Sequence, residues 1–297
     1  MSCLFCKSND TVDSFLPSTF FNQKRFDYKR CNNCRLHFIA PIPNKDDLLK
    51  MYPTSYQAGV DDNILADPYK KLIGLRFSYG KQIELLRKNN FSGKVLDFGC
   101  GSANFLINCN HHGIECDGLE FNPDHVNILK EKVSDRKFYT FDEFMESDIQ
   151  YDLIRLSNVL EHFTDPVETI IEIKKHIKPN GYLLVEGPIE MNFNLAQIFR
   201  KVYFSVKKRL KRNYLATHTP THIIFSNRSN QLNFFQNLQF DTLWYVIDEA
   251  EWPFPNSLKN AIGMVSKLNF YIAKLSMLFG KTIPSWGNTF LYLGRIK

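Results

Sequence analysis

Val95-Leu96-Asp97-Phe98-Gly99-Cys100-Gly101-Ser102-Ala103 reads as a buried strand that runs into a glycine turn and then a helix. Val95, Leu96 and Phe98 favour a strand, Gly99 and Gly101 permit tight backbone geometry beside a ligand, and Ala103 to Asn110 can open a helix. Roughly twenty residues on, Leu119-Glu120-Phe121 ends a second apolar run in a carboxylate placed to accept hydrogen bonds from ribose hydroxyls. A strand-ending acid after such a run has little packing purpose. Together the two segments predict a nucleotide-type cradle in an α/β fold.

The acid-first, two-glycine pattern resembles the class I S-adenosylmethionine (SAM) dependent methyltransferases more than the dinucleotide dehydrogenases, whose third glycine serves pyrophosphate binding and helix packing. Tyr151 to Phe163, through Ser157-Asn158-Val159-Leu160-Glu161-His162, resembles that family's fourth strand and following turn. Lys178-Pro179-Asn180-Gly181 followed by Tyr182 to Glu186 resembles its fifth strand, entered through a proline-glycine turn. The resemblance covers residues 91 to 190 and implies a seven-stranded, doubly wound Rossmann-like sheet. It implies cofactor contacts at Asp97, Gly99, Cys100, Gly101 and Glu120, with Asp97 near the methionine moiety, Glu120 on the ribose, Phe121 against adenine and Asn158 near the methionine end. Many members carry a further glycine where Ala103 stands, and cofactor binding is expected to survive the change. The adenine-edge contact is open between Asp142, Thr140 and a backbone amide, with Asp142 better read as a helix cap.

The 297 residues are 44% hydrophobic and 23% charged, the balance of a globular protein, with a net charge of +6. The chain starts with cysteines rather than a basic-then-apolar signal, and no run of eighteen apolar residues offers a transmembrane span. Seven cysteines, an odd number, fit a reducing cytosol better than a disulfide framework. A cytoplasmic location is expected, with contact at the inner face of the membrane as its variant.

Four of the seven form Cys3-x2-Cys6 and Cys31-x2-Cys34, the pattern of a zinc ribbon. Two such pairs close a tetrahedral site with no position left for catalytic water, so the zinc is expected to be structural, an iron–sulfur cluster or vacant thiols being the alternatives. Lys7 and Arg35 stand where a knuckle glycine often follows each pair. His37 is expected to face solvent, with a ligand role as the alternative, and Cys100, Cys109 and Cys116 read as small buried residues.

The cysteine module, then Leu36 to Pro43 and Met51-Tyr52-Pro53-Thr54-Ser55-Tyr56, then the SAM-binding segment, resembles methyltransferases of sugar and surface-polysaccharide biosynthesis. Some of these methylate oxygen and others carbon on nucleotide-linked sugars; the long tyrosine and histidine motif of the carbon enzymes is absent, which favours oxygen. The predicted organisation is a ribbon and connector over 1–56 and a methyltransferase domain over 57–297, with insertions near 191–217 and 248–287. Within the latter a helix over 68–89 precedes strands near 94–98, 115–120, 136–141, 152–157 and 181–187, then a helix over 227–237 and strands over 240–247 and 289–296.

Between Glu190 and Asp241 there is no acidic residue, while eight lysines and arginines fall there. Leu195, Ile198, Phe199, Val202, Val206 and Leu210 share one arc of a predicted helix and Arg200, Lys201, Lys207, Lys208, Lys211 and Arg212 the opposite one. The charge suggests a partner bearing phosphates: a nucleotide- or lipid-linked sugar, an anionic membrane surface reached through residues 195–212, or nucleic acid, the alternative being a solvated face. Around 257–280, Leu258, Ile262, Val265, Ile272, Leu275 and Phe279 suggest core packing or an oligomer contact first and membrane docking second.

Methyl transfer from a sulfonium is a direct displacement that asks for alignment and exclusion of water, and an oxygen acceptor benefits from a base. His222, ahead of Ile223-Ile224-Phe225-Ser226, and His162, at the carboxyl edge of the fourth strand, are the candidate bases. Glu161 is read as orienting His162 or capping the next turn, His218 is a weaker third, and His111 and His112 belong on a helix exterior. Each histidine also has a purely structural reading. A nucleic-acid protein ranks lower, because Ser157-Asn158-Val159-Leu160 stands where amino-methylating enzymes carry an Asn or Asp-Pro-Pro-aromatic motif, and a non-enzymatic scaffold ranks lower again.

Overall fold

A computed structural model describes residues 1–52, 79–89, 91–210, 214–216, 218–249 and 258–297. The first hundred residues or so build strands β1 (Thr11–Asp13), β2 (Ser18–Phe21), β3 (Lys24–Cys31) and β4 (His37–Ala40), then helices α1 (Lys45–Met51) and α2 (Tyr79–Lys88). Alternating strands and helices follow: β5 (Val95–Phe98), α3 (Asn104–His111), β6 (Cys116–Glu120), α4 (Pro123–Lys132), β7 (Phe138–Thr140), α5 (Phe141–Met145), β8 (Tyr151–Ser157), α6 (Pro166–Lys175) and β9 (Ile177–Pro188). The chain ends with α7 (Leu195–Leu210), β10 (Leu215–Ala216), β11 (Ile224–Phe225), α8 (Arg228–Asn237), β12 (Phe240–Asp248), α9 (Met264–Thr282) and β13 (Thr289–Ile296).

Seven strands form one sheet in the order β12-β13-β9-β8-β5-β6-β7. The five strands from β9 to β7 run parallel and β13 and β12 join antiparallel, so the last two strands make the predicted antiparallel edge. β5 is buried at all four positions, as a central parallel strand covered on both faces must be. Two of the crossover helices start where their sequences cap them: Asn122 accepts from Asp124 N and His125 N ahead of Pro123, and Asp165 accepts from Glu168 N ahead of Pro166. β9 starts at Ile177, earlier than expected. Its register against β8 jumps from Tyr151↔Ile177 to Leu153↔Tyr182, so the proline-glycine turn is an irregularity inside the strand, not its entrance.

The second sheet, β10-β2-β3-β4-β11 with β1 on β3, draws its two flanking strands from beyond residue 210. The N-terminal region is thus closed by the segment after α7, and one core cluster runs from Phe26 and Phe38 to Leu156 and Phe235. The expected boundary at 56/57, and the part of the 68–89 helix that holds Leu72 and Leu75, lie outside the described residues.

The two insertions turn much of their apolar surface outward. The half-buried residues of α7 are Leu195, Gln197, Arg200, Phe204 and Lys207, while the rest of its apolar arc faces outward, with Phe199, Val202 and Leu210 exposed. α9 buries Ile272, Ala273, Ser276 and Gly280, and leaves Val265, Leu275 and Phe279 exposed, as are Leu258 and Ile262 ahead of it, so core packing accounts for only one stripe. Gly280 is needed on that stripe, where a Cβ would lie 2.7 Å from Glu249 Cβ.

Candidate active site

The turn after β5 carries both predicted glycines in left-handed conformation, for different reasons. At Gly99 φ is +77° and a Cβ would lie 2.6 Å from Val159 Cγ2, whereas at Gly101 φ is +52° and a Cβ would project into open space. Glu120 binds this loop directly: Oε2 accepts from Gly101 N at 3.0 Å, and Oε1 from Phe121 N at 2.6 Å and Asn122 N at 3.3 Å. The carboxylate therefore has a structural purpose that the sequence reading denied it, joining the β5 and β6 loops. His125 adds a second tie, with Nε2 2.9 Å from the Gly101 carbonyl oxygen.

Phe121 is half exposed and stacks on Phe141 at 5.4 Å, forming an apolar wall beside Glu120. The side chain of Thr140 caps α5, so Asp142 stands in its first turn rather than at the cap and lines the cleft. Asn158, at φ +52°, donates its N–H to the Glu186 carbonyl at 2.9 Å and also lines the cleft. Cys100 is buried, and a Cβ on Gly118 would lie 2.9 Å from its Sγ, which makes the residue a space filler under the loop. The open cradle at Gly101, the strand-end carboxylate and the aromatic wall fit SAM, which supplies an electrophilic methyl group when bound.

Asp97 sits deeper than expected. It is buried and paired with the guanidinium of Arg155, which also donates Nε–H to Gln82 Oε1 at 2.7 Å and lies 4.0 Å from the centre of the Phe105 ring. Gln82 and Ser157 in turn donate to Glu186 Oε2 at 3.1 and 2.6 Å. This floor was not legible in the sequence, because an arginine inside a strand reads as exposed.

Across the cleft stand Glu161, His162 and His222, together with Glu190, which the sequence shows only as the last acid before the basic stretch. His222 Nδ1 is 2.9 Å from Glu190 Oε1. Burial opposes its charge, but Glu190 and then Glu161 outweigh that and hold its pKa up at about 9. His162 Nδ1 lies 2.8 Å from the Thr221 carbonyl oxygen and 2.7 Å from the Tyr52 hydroxyl. Burial, with the neighbouring His222 charge, lowers its pKa to about 4. Glu161 is buried and pushed up to about 7 by desolvation. The rings of His162 and His222 meet edge to face at 5.0 Å. One donor atom each from Glu161, His162 and His222 falls within 4.8 Å of the others, a spacing that would suit a shared proton or a cation. His218 stands apart, 3.3 Å from the Tyr28 hydroxyl on the second sheet. His111 is exposed and His112 half-buried.

At the N-terminus Cys3 Sγ lies 3.4 Å from Cys34 Sγ and Cys6 Sγ 3.6 Å from Cys31 Sγ, all four within 4.8 Å of one another. A tetrahedral ion with bonds of ~2.3 Å puts its sulfurs about 3.8 Å apart, so the thiols fit a zinc. Lys7 and Arg35 take φ of 56° and 62°, and their N–H groups donate to Cys3 and Cys31 carbonyls at 2.9 and 3.0 Å, so both knuckles close without glycine. His37 is buried, not solvent-facing, its Nδ1 2.7 Å from Ser14 Oγ, and it is absent from the cysteine cluster.

A sequence model of the methyltransferase-domain family matches residues 75–243, more than half of the chain. The Bacillus subtilis protein YqeM is 26% identical over 116 residues, 36% of this chain and 46% of its own length. The ubiquinone biosynthesis O-methyltransferase of Yersinia enterocolitica is 28% identical over 125 residues, 39% of this chain and 50% of that one. The chain therefore spans about half the length of these curated relatives. The crystal structure of magnesium protoporphyrin IX methyltransferase from Synechocystis, with S-adenosylhomocysteine bound, aligns with a TM-score of 0.48 at 10% identity, over 85% of this chain and 93% of that one. With the glycine loop, the strand order and the family match in agreement, the chain belongs to the methyltransferase-domain family and has the fold of the class I SAM-dependent enzymes.

Proposed function

We propose that the enzyme methylates a hydroxyl oxygen of a sugar or sugar-phosphate-type acceptor of surface-polysaccharide biosynthesis, with His222 as the base. The observation that carries this is the His222–Glu190 pair facing the glycine loop across one cleft. Nδ1–H is committed to Glu190 Oε1 at 2.9 Å, which leaves Nε2 for the acceptor proton, and the carboxylate stabilises the imidazolium that forms. Glu190 Oε2 is buried with no hydrogen-bond partner among the described residues, an acceptor suited to a second hydroxyl. Arg200 lines the same wall and supplies positive charge for a phosphate. The sugar assignment is supported by the resemblance of the cysteine module joined to this domain. Gly99, Gly101, Glu120, Phe121 and Asn158 hold the cofactor in this reading, with Asp97 and Cys100 supporting the loop beneath it, and Cys3, Cys6, Cys31 and Cys34 hold a structural zinc.

The test is turnover on a panel of nucleotide-linked sugars, with S-adenosylhomocysteine affinity measured separately by calorimetry. His222→Ala lowers kcat by about 100-fold or more while cofactor affinity stays within a factor of about three. Because its pKa is held at about 9, kcat rises with pH toward that value. Glu190→Gln removes the negative charge that favours the imidazolium, so the rise moves to lower pH by about one unit or more. Unchanged turnover in both His222→Ala and His162→Ala sinks the base assignment. A divalent cation on Glu161, His162 and His222 is the competing account; it predicts a second bound metal per chain beside the one at the cysteines, lost in His222→Ala, where the base reading predicts the same metal content in both forms.

A further inference from the structure

α7 and α9 lie side by side, Leu195 N donating to Ser276 Oγ at 3.2 Å. Each turns an apolar arc away from the core. On α7 the arc is Ile198, Phe199, Val202, Tyr203, Val206 and Leu210; on α9 it is Met264, Leu268, Tyr271, Leu275, Leu278 and Phe279, every one exposed. Lys267, Lys274 and Lys281 recur every seven residues, so they form one exposed stripe along the margin of the α9 arc. The charge is one-sided. Neither 191–240 nor 252–297 contains an aspartate or glutamate, while the exposed basic residues of the two helices are Lys201, Lys208 and Arg209 on α7 and Lys267, Lys274 and Lys281 on α9. Two neighbouring helices with outward apolar arcs, basic margins and no acid have the composition of a surface that lies in the headgroup region of an anionic bilayer. An oligomer interface of the same area would gain from balancing acids, and none is present. No helix among the described residues is long and apolar enough to cross a membrane.

We propose that this two-helix face docks on an anionic lipid bilayer. The cleft continues into it: Phe199 and Tyr203 from α7 and Val265, Leu268 and Ile272 from α9 line the acceptor side. Docking therefore places the mouth of the cleft at the lipid boundary, and the acceptor that enters there is lipid-linked. That last step rests on the proposed methyl-transfer reading of the cleft, while docking itself does not.

The experiment is co-sedimentation of the purified, zinc-replete full chain with phosphatidylcholine vesicles, with and without phosphatidylglycerol. Binding should need the anionic lipid and weaken as salt is raised. Leu275→Glu/Leu278→Glu and, separately, Lys267→Gln/Lys274→Gln/Lys281→Gln should each reduce binding at least tenfold, with S-adenosylhomocysteine affinity retained as proof of folding. None of these residues belongs to the catalytic or cofactor constellation. Equal binding to neutral vesicles, no binding to either, or a stable dimer in light scattering that the Leu275→Glu/Leu278→Glu change dissolves overturns the proposal. Vesicle binding without turnover on any lipid-linked acceptor leaves docking standing and removes the acceptor assignment, so the two readings fail separately.

Discussion

Ala103 and Arg35 both hold left-handed backbone, at φ of 57° and 62°, yet the balance at each is different. Relief of the Cβ clash is worth about 1–2 kcal/mol, and the extra unfolded-state freedom of glycine takes back about 0.4–1 kcal/mol. Arg35 is exposed, so Arg35→Gly should raise stability by about 0.5–1 kcal/mol, measured by urea unfolding of the zinc-loaded protein. Ala103 is fully buried, and loss of its methyl removes a further ~0.8 kcal/mol. Ala103→Gly should therefore leave stability nearly unchanged, which explains physically how this chain tolerates alanine in a left-handed turn.

At the scale of elements, β8 does more than fill the sheet. Alternation puts Leu153 toward one helical layer and Ile154 toward the other, and Arg155 falls on the face where β5 presents Asp97 and α2 presents Gln82. The ion pair is buried on both sides, so its net contribution to stability is small, but its rupture is not. Arg155→Leu strands the Asp97 carboxylate and should destabilise the protein by about 3–5 kcal/mol, whereas Asp97→Asn combined with Arg155→Leu should recover part of that loss in the same unfolding assay. A single-mutant loss below ~1 kcal/mol would refute the coupling. The same sheet shows why Pro179 is tolerated in β9: the bulge between the Ile177 and Tyr182 pairings takes the residues that cannot join the ladder.

Across the whole molecule the cysteine module and the cleft are mechanically joined. Ile39 of β4 donates its N–H to the Ile223 carbonyl at 2.9 Å, and Ile223 N–H donates to the Glu161 carbonyl at 2.8 Å. Tyr52, just after α1, holds His162 and also donates to the Thr221 carbonyl. Lys7 adds an ion pair to Asp165, the cap of α6. Removal of the zinc proposed at the cysteines by chelation should loosen β4 and with it the β11 segment, so turnover falls by about tenfold or more while S-adenosylhomocysteine affinity, set at the β5 and β6 loops, changes little. Equal losses in both would place the module's influence on the fold as a whole. Turnover and affinity unmoved by a chelator that strips the metal would mean that the ribbon has no bearing on the cleft.

Local sequence was sufficient for the alternating α/β pattern, the glycine turn, the strand-ending Glu120 and the paired cysteines, because each is set by periodicity or spacing within a few residues. Glu161, His162 and His222 could each be named as candidates from the sequence, since each flanks a strand end or turn, but their convergence could not. What only the tertiary structure decided was partnership and direction: Glu190 on His222, Tyr52 on His162, Arg155 on Asp97, and the outward turn of the α7 arc. Those partners are separated by 32, 110 and 58 positions in the chain, and the crossing of 215–225 into the second sheet brings the elements together. A helical wheel ranks the faces of α7 but does not orient them. Its inward face is the one where Arg200 and Phe204 become half-buried, an outcome that depends on where every strand before it had already been laid.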